Sequence, residues 1–243
     1  MLIITADDYG KTRHATANIL KCFLSKRITS ASAMVFMEDS ERAASLVLDT
    51  DLEIGLHLNF TEPFSASNIS PKTREHHNRV GSYLKGHKLA QVIYNPFLKD
   101  SCKFLFHAQS EEFERLYKRA PDFINGHHHM HLCANALAIK MIPKGARVRG
   151  TFTFTHGEKN YFNLLYRYIL DIWISRRFIS TDCFYSITPV QNHERLQQII
   201  KRAVKETVEI EVHPENAEEI EFLLSDQYKN LIDSVHIGSF GHL

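Results

Sequence analysis

Leu2-Ile3-Ile4-Thr5-Ala6-Asp7-Asp8-Tyr9-Gly10 predicts a short strand that runs directly into two adjacent carboxylates. Its apolar start shows no polar alternation, which is typical of a parallel-sheet strand covered by helices on both faces. The amphipathic pattern that follows, around Ile19, Leu20, Phe23 and Leu24, predicts a helix. A strand followed by a helix is the repeating unit of a parallel α/β fold.

The same alternation continues along the chain. Further strands are predicted at residues 33–36, 53–56, 122–125, 147–149, 181–184, 208–212 and 234–237. Further helices are predicted at residues 40–48, 110–119, 134–141, 163–175, 193–206 and 216–224. Seven or eight such units in 243 residues predict the α/β class and an irregular (β/α) barrel. An open doubly wound sheet is the alternative, but no Gly-x-Gly-x-x-Gly turn follows a strand.

The alternation weakens between residues 59 and 107, where prolines and a polar cluster interrupt it. This segment is predicted to be a long loop or cap that carries one short helix near Leu89. No repeat or flexible linker is visible elsewhere. We therefore expect a single domain, 1–243, with a variable loop or cap at about 60–108.

Composition excludes several classes of protein. Hydrophobic residues make up 44% of the chain, and 29 Lys+Arg against 28 Asp+Glu give a formal net charge of +1. These values are not those of a disordered chain, and they give no electrostatic reason to expect a nucleic-acid partner. The histidine count of 15 is the unusual feature.

The apolar tract 162–174 is interrupted by Arg167 and Asp171, so no transmembrane span is expected. The first residues show no secretory signal pattern, and the four cysteines are widely separated without a Cys-x-x-Cys pair. Together these features predict a cytoplasmic location.

Polar clusters follow four predicted strands directly, at residues 5–10, 55–59, 125–131 and 211–214. The carboxyl ends of the strands of a parallel barrel open on one face, where the active sites of such barrels lie. The sequence therefore predicts that these four clusters converge on one site.

Asp7 and Asp8 are the first pair of interest, because two adjacent carboxylates repel each other unless a cation or a raised pKa offsets the charge. A bound metal ion would do so. The alternative is a solvated turn or a helix N-cap, for which Asp and Gly10 are common. Strand side chains alternate, so both carboxylates reach one site only if the backbone turns at the strand end.

The tract Gly126-His127-His128-His129-Met130-His131 is the stronger signal, since neutral imidazole is a common metal ligand. On an extended segment His127, His129 and His131 would share one wall while His128 faces elsewhere. The alternative is an exposed His-rich turn. Gly126 would allow close approach of the backbone.

His57 and His213 each end an apolar strand. One carboxylate with two imidazoles from separate strands makes a three-ligand site with open positions for water and substrate. His213 before Pro214 is typical of a positioned acid or base, although a core histidine at a strand end is the alternative.

The sequence resembles the YdjC-like family of carbohydrate deacetylases, the group that contains chitooligosaccharide deacetylase and the hopanoid-associated deacetylase. The motifs that carry the resemblance are Ala6-Asp7-Asp8-Tyr9-Gly10, Thr29-Ser30-Ala31-Ser32, Gly55-Leu56-His57-Leu58-Asn59-Phe60-Thr61, Gly126-His127-His128-His129-Met130-His131, Thr181-Asp182 and Val212-His213-Pro214. They span nearly the whole chain.

The resemblance implies a barrel related to polysaccharide deacetylases, one divalent metal ion (Mg²⁺ or Zn²⁺), and removal of an N-acetyl group from an N-acetylated amino sugar. By matching position, Asp8, His57 and His127 would bind the metal. Asp7 would be the general base and His213 the general acid. The family usually has Asp at the position of Asn125, and the segment after Thr61 is this chain's own, so substrate choice does not follow from the resemblance.

Supporting roles are expected for residues near these positions. A backbone N–H near Tyr9 would stabilise the oxyanion, Asp182 would hold the tautomer of His213, and Arg149 or Arg147 would orient Asp7 or bind a substrate phosphate. Asn125, His129 and His131 would support or line the site. Two rival hypotheses are another metal-dependent amidase or phosphoesterase, and a metal-containing glycan-binding protein without activity.

The predicted helix 163–175 has two interpretations. Apolar residues at helical spacing favour core packing. The basic residues around it leave open a helix on the membrane surface that brings the protein to a lipid-linked glycan; they are Lys159, Arg167, Arg176 and Arg177. A homodimer is also left open.

Overall fold

The computed structural model describes residues 1–86, 89–154 and 161–243 of the chain. Its strands are β1 (Leu2–Tyr9), β2 (Ser30–Ala33), β3 (Glu53–Leu58), β4 (Ile124–Gly126), β5 (Cys183–Ser186) and β6 (Val208–Val212). Its α-helices are α1 (Arg13–Leu24), α2 (Ser40–Ser45), α3 (Pro71–Gly86), α4 (Lys99–Tyr117), α5 (Ala134–Ala138), α6 (Tyr161–Ser175), α7 (His193–Arg202), α8 (Ala217–Leu224) and α9 (Asp226–Ile232). Short 3₁₀ turns cover Pro96–Leu98, His127–Leu132 and Phe240–His242. Lys159, predicted to flank α6, lies outside the described residues.

The strands form one sheet in the order β4-β3-β2-β1-β6-β5. The pairs β1–β6, β3–β4 and β5–β6 are parallel. The predicted α/β class with parallel strands is therefore confirmed. In the described part of the chain the sheet has six strands rather than seven or eight, because two predicted strands, at 147–149 and 234–237, each make a single parallel bridge.

Some predicted boundaries are wrong. The strand expected at 33–36 is β2, Ser30–Ala33, and Phe36 has a φ of 62°, outside the extended conformation of a regular strand. The segment 59–107 is not a loop with one short helix near Leu89, since it holds α3 and the first half of α4.

The helix α3 escaped prediction because its buried stripe is not markedly apolar. The stripe consists of Thr73, His77, Val80, Gly81 and Leu84. Their spacing is that of one helix face, but Thr, His and Gly hide it from a pattern based on hydrophobicity.

The chain divides into two compact units. The first unit comprises Met1–Asp7, Ala17–Ala31 and Lys144–Leu243. Its core includes the alternate apolar residues of β6, Val208, Ile210 and Val212, and the buried face of α7, Leu196 and Ile199. The prediction of a single domain stays a prediction.

The second unit comprises Asp8–Thr16 and Ser32–Pro143. Its core includes Leu56 and Leu58 of β3 and Phe113 of α4. Among the described residues no helix combines the length and the apolar character needed to cross a lipid bilayer.

Candidate functional site

Three polar side chains meet in the second unit: Asp8 from the end of β1, His57 from the end of β3 and His127 directly after β4. The Oδ1 atom of Asp8 lies 3.3 Å from Nε2 of His57 and 3.0 Å from Nδ1 of His127. All three residues are buried, and each offers a ligand atom within 4.8 Å of the others. The structure thus brings together the three residues predicted to bind a metal ion.

The donor set fits a divalent cation. The Oδ1 atom of Asp8 is buried and makes no well-formed hydrogen bond, although two ring nitrogens face it. Such an arrangement is expected where an ion, rather than a proton, completes the contacts. Two imidazoles and one carboxylate suit zinc and related transition metals, and they suit magnesium less well by ligand type.

The backbone at Asp8 departs from the strand conformation. Its φ of 69° lies in the left-handed region, and Gly10 follows with a φ of 83°. Successive side chains of a regular strand point to opposite faces, so the carboxylates of Asp7 and Asp8 can depart from that alternation only if the backbone turns in this way. Burial opposes ionisation of the Asp8 carboxyl, but the imidazoles of His127 and His57 outweigh it and hold its pKa well below the usual range.

His57 is held by Asn125. The two residues are partners in the β3–β4 register, and Nδ1 of His57 lies 2.8 Å from Oδ1 of Asn125. The Asn125 amide nitrogen in turn donates to Ser32 Oγ at 3.0 Å. With the amide in this orientation His57 Nδ1 carries the proton, so Nε2 is the nitrogen left for a metal.

His127 is oriented the other way round. Its Nδ1 faces Asp8, while its Nε2 lies 4.0 Å from Oε2 of Glu62. Sequence reasoning missed Glu62, which lies in the loop five residues beyond His57. That position after a strand end was the one available signal.

The remaining histidines of the tract do not alternate as predicted. His128 and His129 have left-handed φ of 53° and 58°, so the tract is a tight turn kinked at these two residues rather than an extended segment. His128 contacts Thr61 at 3.0 Å, His129 is half-buried and His131 is fully buried. The common wall of His127, His129 and His131 is therefore wrong.

A second cluster lies in the first unit around Arg149, whose side chain is fully buried. Its guanidinium donates to both oxygens of Asp7, at 2.5 and 2.9 Å. It also donates to Glu209 at 2.8 Å and to Glu211 at 3.1 Å. Of the two arginines considered from sequence, the structure places Arg149 against Asp7, whereas Arg147 makes a backbone bridge with Ile179.

One guanidinium thus faces three buried carboxyl groups. Burial lowers the pKa of Arg149, but the three acids outweigh it and raise that pKa overall. Burial raises the pKa of Glu209, and it raises the pKa of Glu211 well above the usual range, because Asp7 and Glu209 add like charge. Glu211 therefore keeps its proton to higher pH than a solvated glutamate.

His213 follows β6, and it lies near Asp7 and Glu211, with ligand atoms of the three residues within 4.8 Å of one another. Its backbone N–H donates to Glu219 at 2.6 Å, and its side chain is half-buried. This group suits proton transfer better than a metal ion, because the guanidinium of Arg149 already supplies the cation to Asp7 and Glu211.

One predicted supporting role does not match the structure. Asp182 lies at the amino end of β5, where its carboxylate accepts a hydrogen bond from the Thr207 N–H at 2.8 Å. His213 follows the carboxyl end of β6, about 20 Å further along the strand. The predicted contact between Asp182 and His213 is therefore wrong. The Tyr9 side chain is fully buried and donates to the Ala43 carbonyl at 2.8 Å, and the oxyanion role of a backbone N–H near Tyr9 stays a prediction.

The fold and these residues define a class: a parallel α/β protein with a preformed Asp-His-His group at its strand ends. A family model described as YdjC-like protein matches residues 1–234. The chain belongs to the YdjC-like protein family.

Named relatives among known proteins match parts of the chain. The chain is 32% identical over 133 residues to a chitooligosaccharide deacetylase of Proteus mirabilis, covering 54% of this chain and 50% of that protein. It is 24% identical over 219 residues to a carbohydrate deacetylase of Clostridium beijerinckii, covering 88% of this chain and 80% of that protein. The chain thus spans only half the length of the first of these relatives.

A crystal structure from Enterococcus faecalis, described as a cellobiose-phosphate cleavage protein, matches 99% of this chain and 97% of its own, with a TM-score of 0.68 and 19% identity. At that identity the match concerns the fold alone. It agrees with the predicted α/β fold class.

Proposed function

We propose that this protein is a metal-dependent carbohydrate deacetylase that removes the N-acetyl group of an amino sugar. The observation that carries the proposal is the buried Asp8-His57-His127 group in a member of a family whose named relatives are deacetylases. The donor types favour Zn²⁺, and Mg²⁺ is the other candidate.

The metal ion would be held by Asp8 Oδ1, His57 Nε2 and His127 Nδ1. When bound, it would polarise the acetyl carbonyl and lower the pKa of a bound water molecule. The chain's own residues prepare this centre, since Asn125 fixes the tautomer of His57 and the two imidazoles keep Asp8 ionised.

Asp7 is the proposed general base. It precedes Asp8 in the chain, so covalent geometry places its Cα about 3.8 Å from that of the ligand residue. Arg149 donates to both of its oxygens and so holds the carboxylate in a fixed orientation, as a general base requires.

His213 is the proposed general acid. An amine leaves a tetrahedral intermediate only after its nitrogen is protonated, and an imidazolium supplies that proton near neutral pH. The Glu219 carboxylate fixes the backbone at His213, which supports a defined position for the ring.

The substrate in this proposal is an N-acetylated sugar in the cytoplasm.

Helix α6 exposes three apolar side chains, since Leu165, Tyr168 and Ile169 are 42%, 63% and 56% accessible. The core packing expected for them is therefore wrong. This exposure supports contact of α6 with a membrane carrying a lipid-linked glycan, which sedimentation with anionic liposomes tests. A homodimer that covers α6 is the competing outcome, seen as a doubled mass in solution.

The central experiment is acetate release from a panel of N-acetylglucosamine oligomers, phosphorylated N-acetyl sugars and lipid-linked sugars, with metal analysis of the same sample. We expect Asp7→Asn to retain the metal and lose turnover by at least about a hundredfold, as typical for a general base. His57→Ala is expected to lose the metal. Full activity of Asp7→Asn would contradict the base assignment, and absence of acetate release from the whole panel would contradict the proposed reaction.

A further inference from the structure

Lys11 lies directly against the proposed metal ligand Asp8. Its Nζ is 3.1 Å from Asp8 Oδ2, and its backbone N–H donates to the Asp8 carbonyl at 3.1 Å. The left-handed conformations of Asp8 and Gly10 close this tight turn and return the lysine side chain over the carboxylate. The Lys11 side chain keeps 21% of its surface exposed, so its ammonium group is within reach of solvent.

The two oxygens of Asp8 have different neighbours. Oδ1 faces the ring nitrogens of His57 and His127, whereas Oδ2 receives the ammonium of Lys11. A metal ion held by the three ligands would therefore meet Asp8 through Oδ1 alone. The positive charge of Lys11 also offsets the negative charge of Asp8, which is the one carboxylate among the three ligands.

The consequence is a centre more positive than the metal ion and its three ligands alone would give. With neutral imidazoles, a divalent ion and Asp8 sum to one positive charge, and Lys11 adds a second charge a few ångströms away. Like charges at such a separation repel substantially where water is largely excluded. The same field attracts anions.

We propose that Lys11 is a positioning residue that exchanges metal affinity for anion affinity at this centre. It weakens the binding of the divalent ion and strengthens the binding of a carboxylate anion beside it. Acetate, the product that the proposed reaction releases, is the simplest ligand of this class. This inference rests on the proposed metal site but not on turnover.

The test compares Lys11→Met, Lys11→Arg and a matched control, Arg13→Met. Arg13→Met removes the same positive charge two residues further along the chain. The Arg13 side chain is 83% exposed, however, and its Nε lies 4.0 Å from Asp39 rather than near Asp8. Calorimetric titration of the metal-free proteins with Zn²⁺ measures the metal affinity. Titration of the Zn²⁺-loaded proteins with acetate measures the anion affinity.

We expect Lys11→Met to bind Zn²⁺ about tenfold more tightly and acetate about fivefold more weakly than the unmodified protein. Lys11→Arg should restore both affinities to within about threefold, and Arg13→Met should change neither. A merely structural lysine would lower both affinities together, since its loss would disorder the turn.

Unchanged or weakened Zn²⁺ binding in Lys11→Met overturns the inference, as does unchanged acetate binding. His57→Ala separates this failure from failure of the proposed function. If the unmodified protein binds Zn²⁺ no better than His57→Ala, the metal site itself is wrong and the role of Lys11 falls with it. If only His57→Ala loses binding while Lys11→Met equals the unmodified protein, the metal site stands and the role of Lys11 alone is wrong.

Discussion

Asn125 is the residue that selects which nitrogen of His57 faces Asp8. Its carboxamide is fully buried, bonded to His57 through the oxygen and to Ser32 through the nitrogen. A carboxylate at this position would accept the same hydrogen bond but add a negative charge to the centre. The amide therefore orients the ligand without making it more electron-rich.

We expect Asn125→Ala to weaken Zn²⁺ binding by roughly 10–100-fold, because the imidazole loses the partner that fixes its tautomer and ring orientation. Asn125→Asp keeps the acceptor and should bind Zn²⁺ at least as tightly as the unmodified protein. Competition with a chromogenic chelator measures both. Wild-type affinity in Asn125→Ala would show that His57 is oriented by other contacts.

Residue types at strand ends were enough to predict that one carboxylate and two imidazoles meet, and the family resemblance selected Asp8, His57 and His127. Lys11, Glu62 and Glu209 were not found, because single charged residues beside loops or within strands look the same whether they face a site or solvent. Asp182 was misplaced for a different reason. A sequence shows which residues border a strand, but the register that separates the two ends of β5 and β6 comes only from pairing.

At the scale of the element, the turn after β4 depends on a glycine. An added Cβ on Gly126 would lie 2.9 Å from the His131 backbone nitrogen and 3.0 Å from its Cβ. The close approach lets the chain fold back so that His131 is fully buried against Gly126, the residue before His127. The turn and the ligand histidine are thus coupled.

Gly126→Ala is expected to lower the free energy of unfolding by about 1–3 kcal/mol, since backbone atoms must move to admit the methyl group. Gly86→Ala is the matched control, because no described atom lies within 4 Å of its added Cβ and the position ends helix α3. The control should be neutral or slightly stabilising. Urea denaturation followed by circular dichroism measures both variants, and equal stabilities would refute the close-packing argument.

Elements with a clear apolar pattern were predicted well, and β6 at Val208–Val212 matches its predicted bounds. The pattern failed where burial is achieved by small or polar side chains, as on α3 through His77 and Gly81. It also failed for chain segments at 147–149 and 234–237, each of which contributes one bridge to a neighbouring segment. Val148 is fully buried, whereas Val235 and Ile237 are half-buried, so an apolar pattern alone did not predict sheet pairing.

At the scale of the whole molecule, the buried acids make stability depend on pH. Burial raises the pKa of Glu211 well above its ordinary 4.5, so folding favours the protonated form. The corresponding stabilisation is complete below pH 4.5 and is lost as the pH rises through the folded-state pKa. Asp8 acts in the opposite direction, because its lowered pKa gives stability that is lost only in strong acid.

Glu211→Gln should therefore flatten the decline in unfolding free energy above pH 4.5, because the amide stays neutral at every pH. One proton fewer bound on folding changes the slope by up to about 1.4 kcal/mol per pH unit. Urea titrations between pH 5 and 9 provide the measurement. Parallel curves for the two proteins would mean that Glu211 is already ionised in the folded state.

Metal binding should be visible in the stability of the entire chain. A ligand that binds only the folded state at one hundred times its dissociation constant adds about 2.7 kcal/mol to the unfolding free energy. We expect Zn²⁺ to raise the melting temperature of the EDTA-treated protein and to leave that of His57→Ala unchanged. An equal rise in both proteins would place the binding elsewhere.

The left-handed backbone at Asp8 also limits which residues mutation can place there. Most L-residues pay about 1–2 kcal/mol in that conformation, and only Gly, Asn and Asp enter it readily. Glu supplies a carboxylate but lacks the short side chain that tolerates this backbone, and Gly or Asn tolerates it without supplying the charge. Asp alone meets both demands, so a saturation library at position 8 should return a single functional residue.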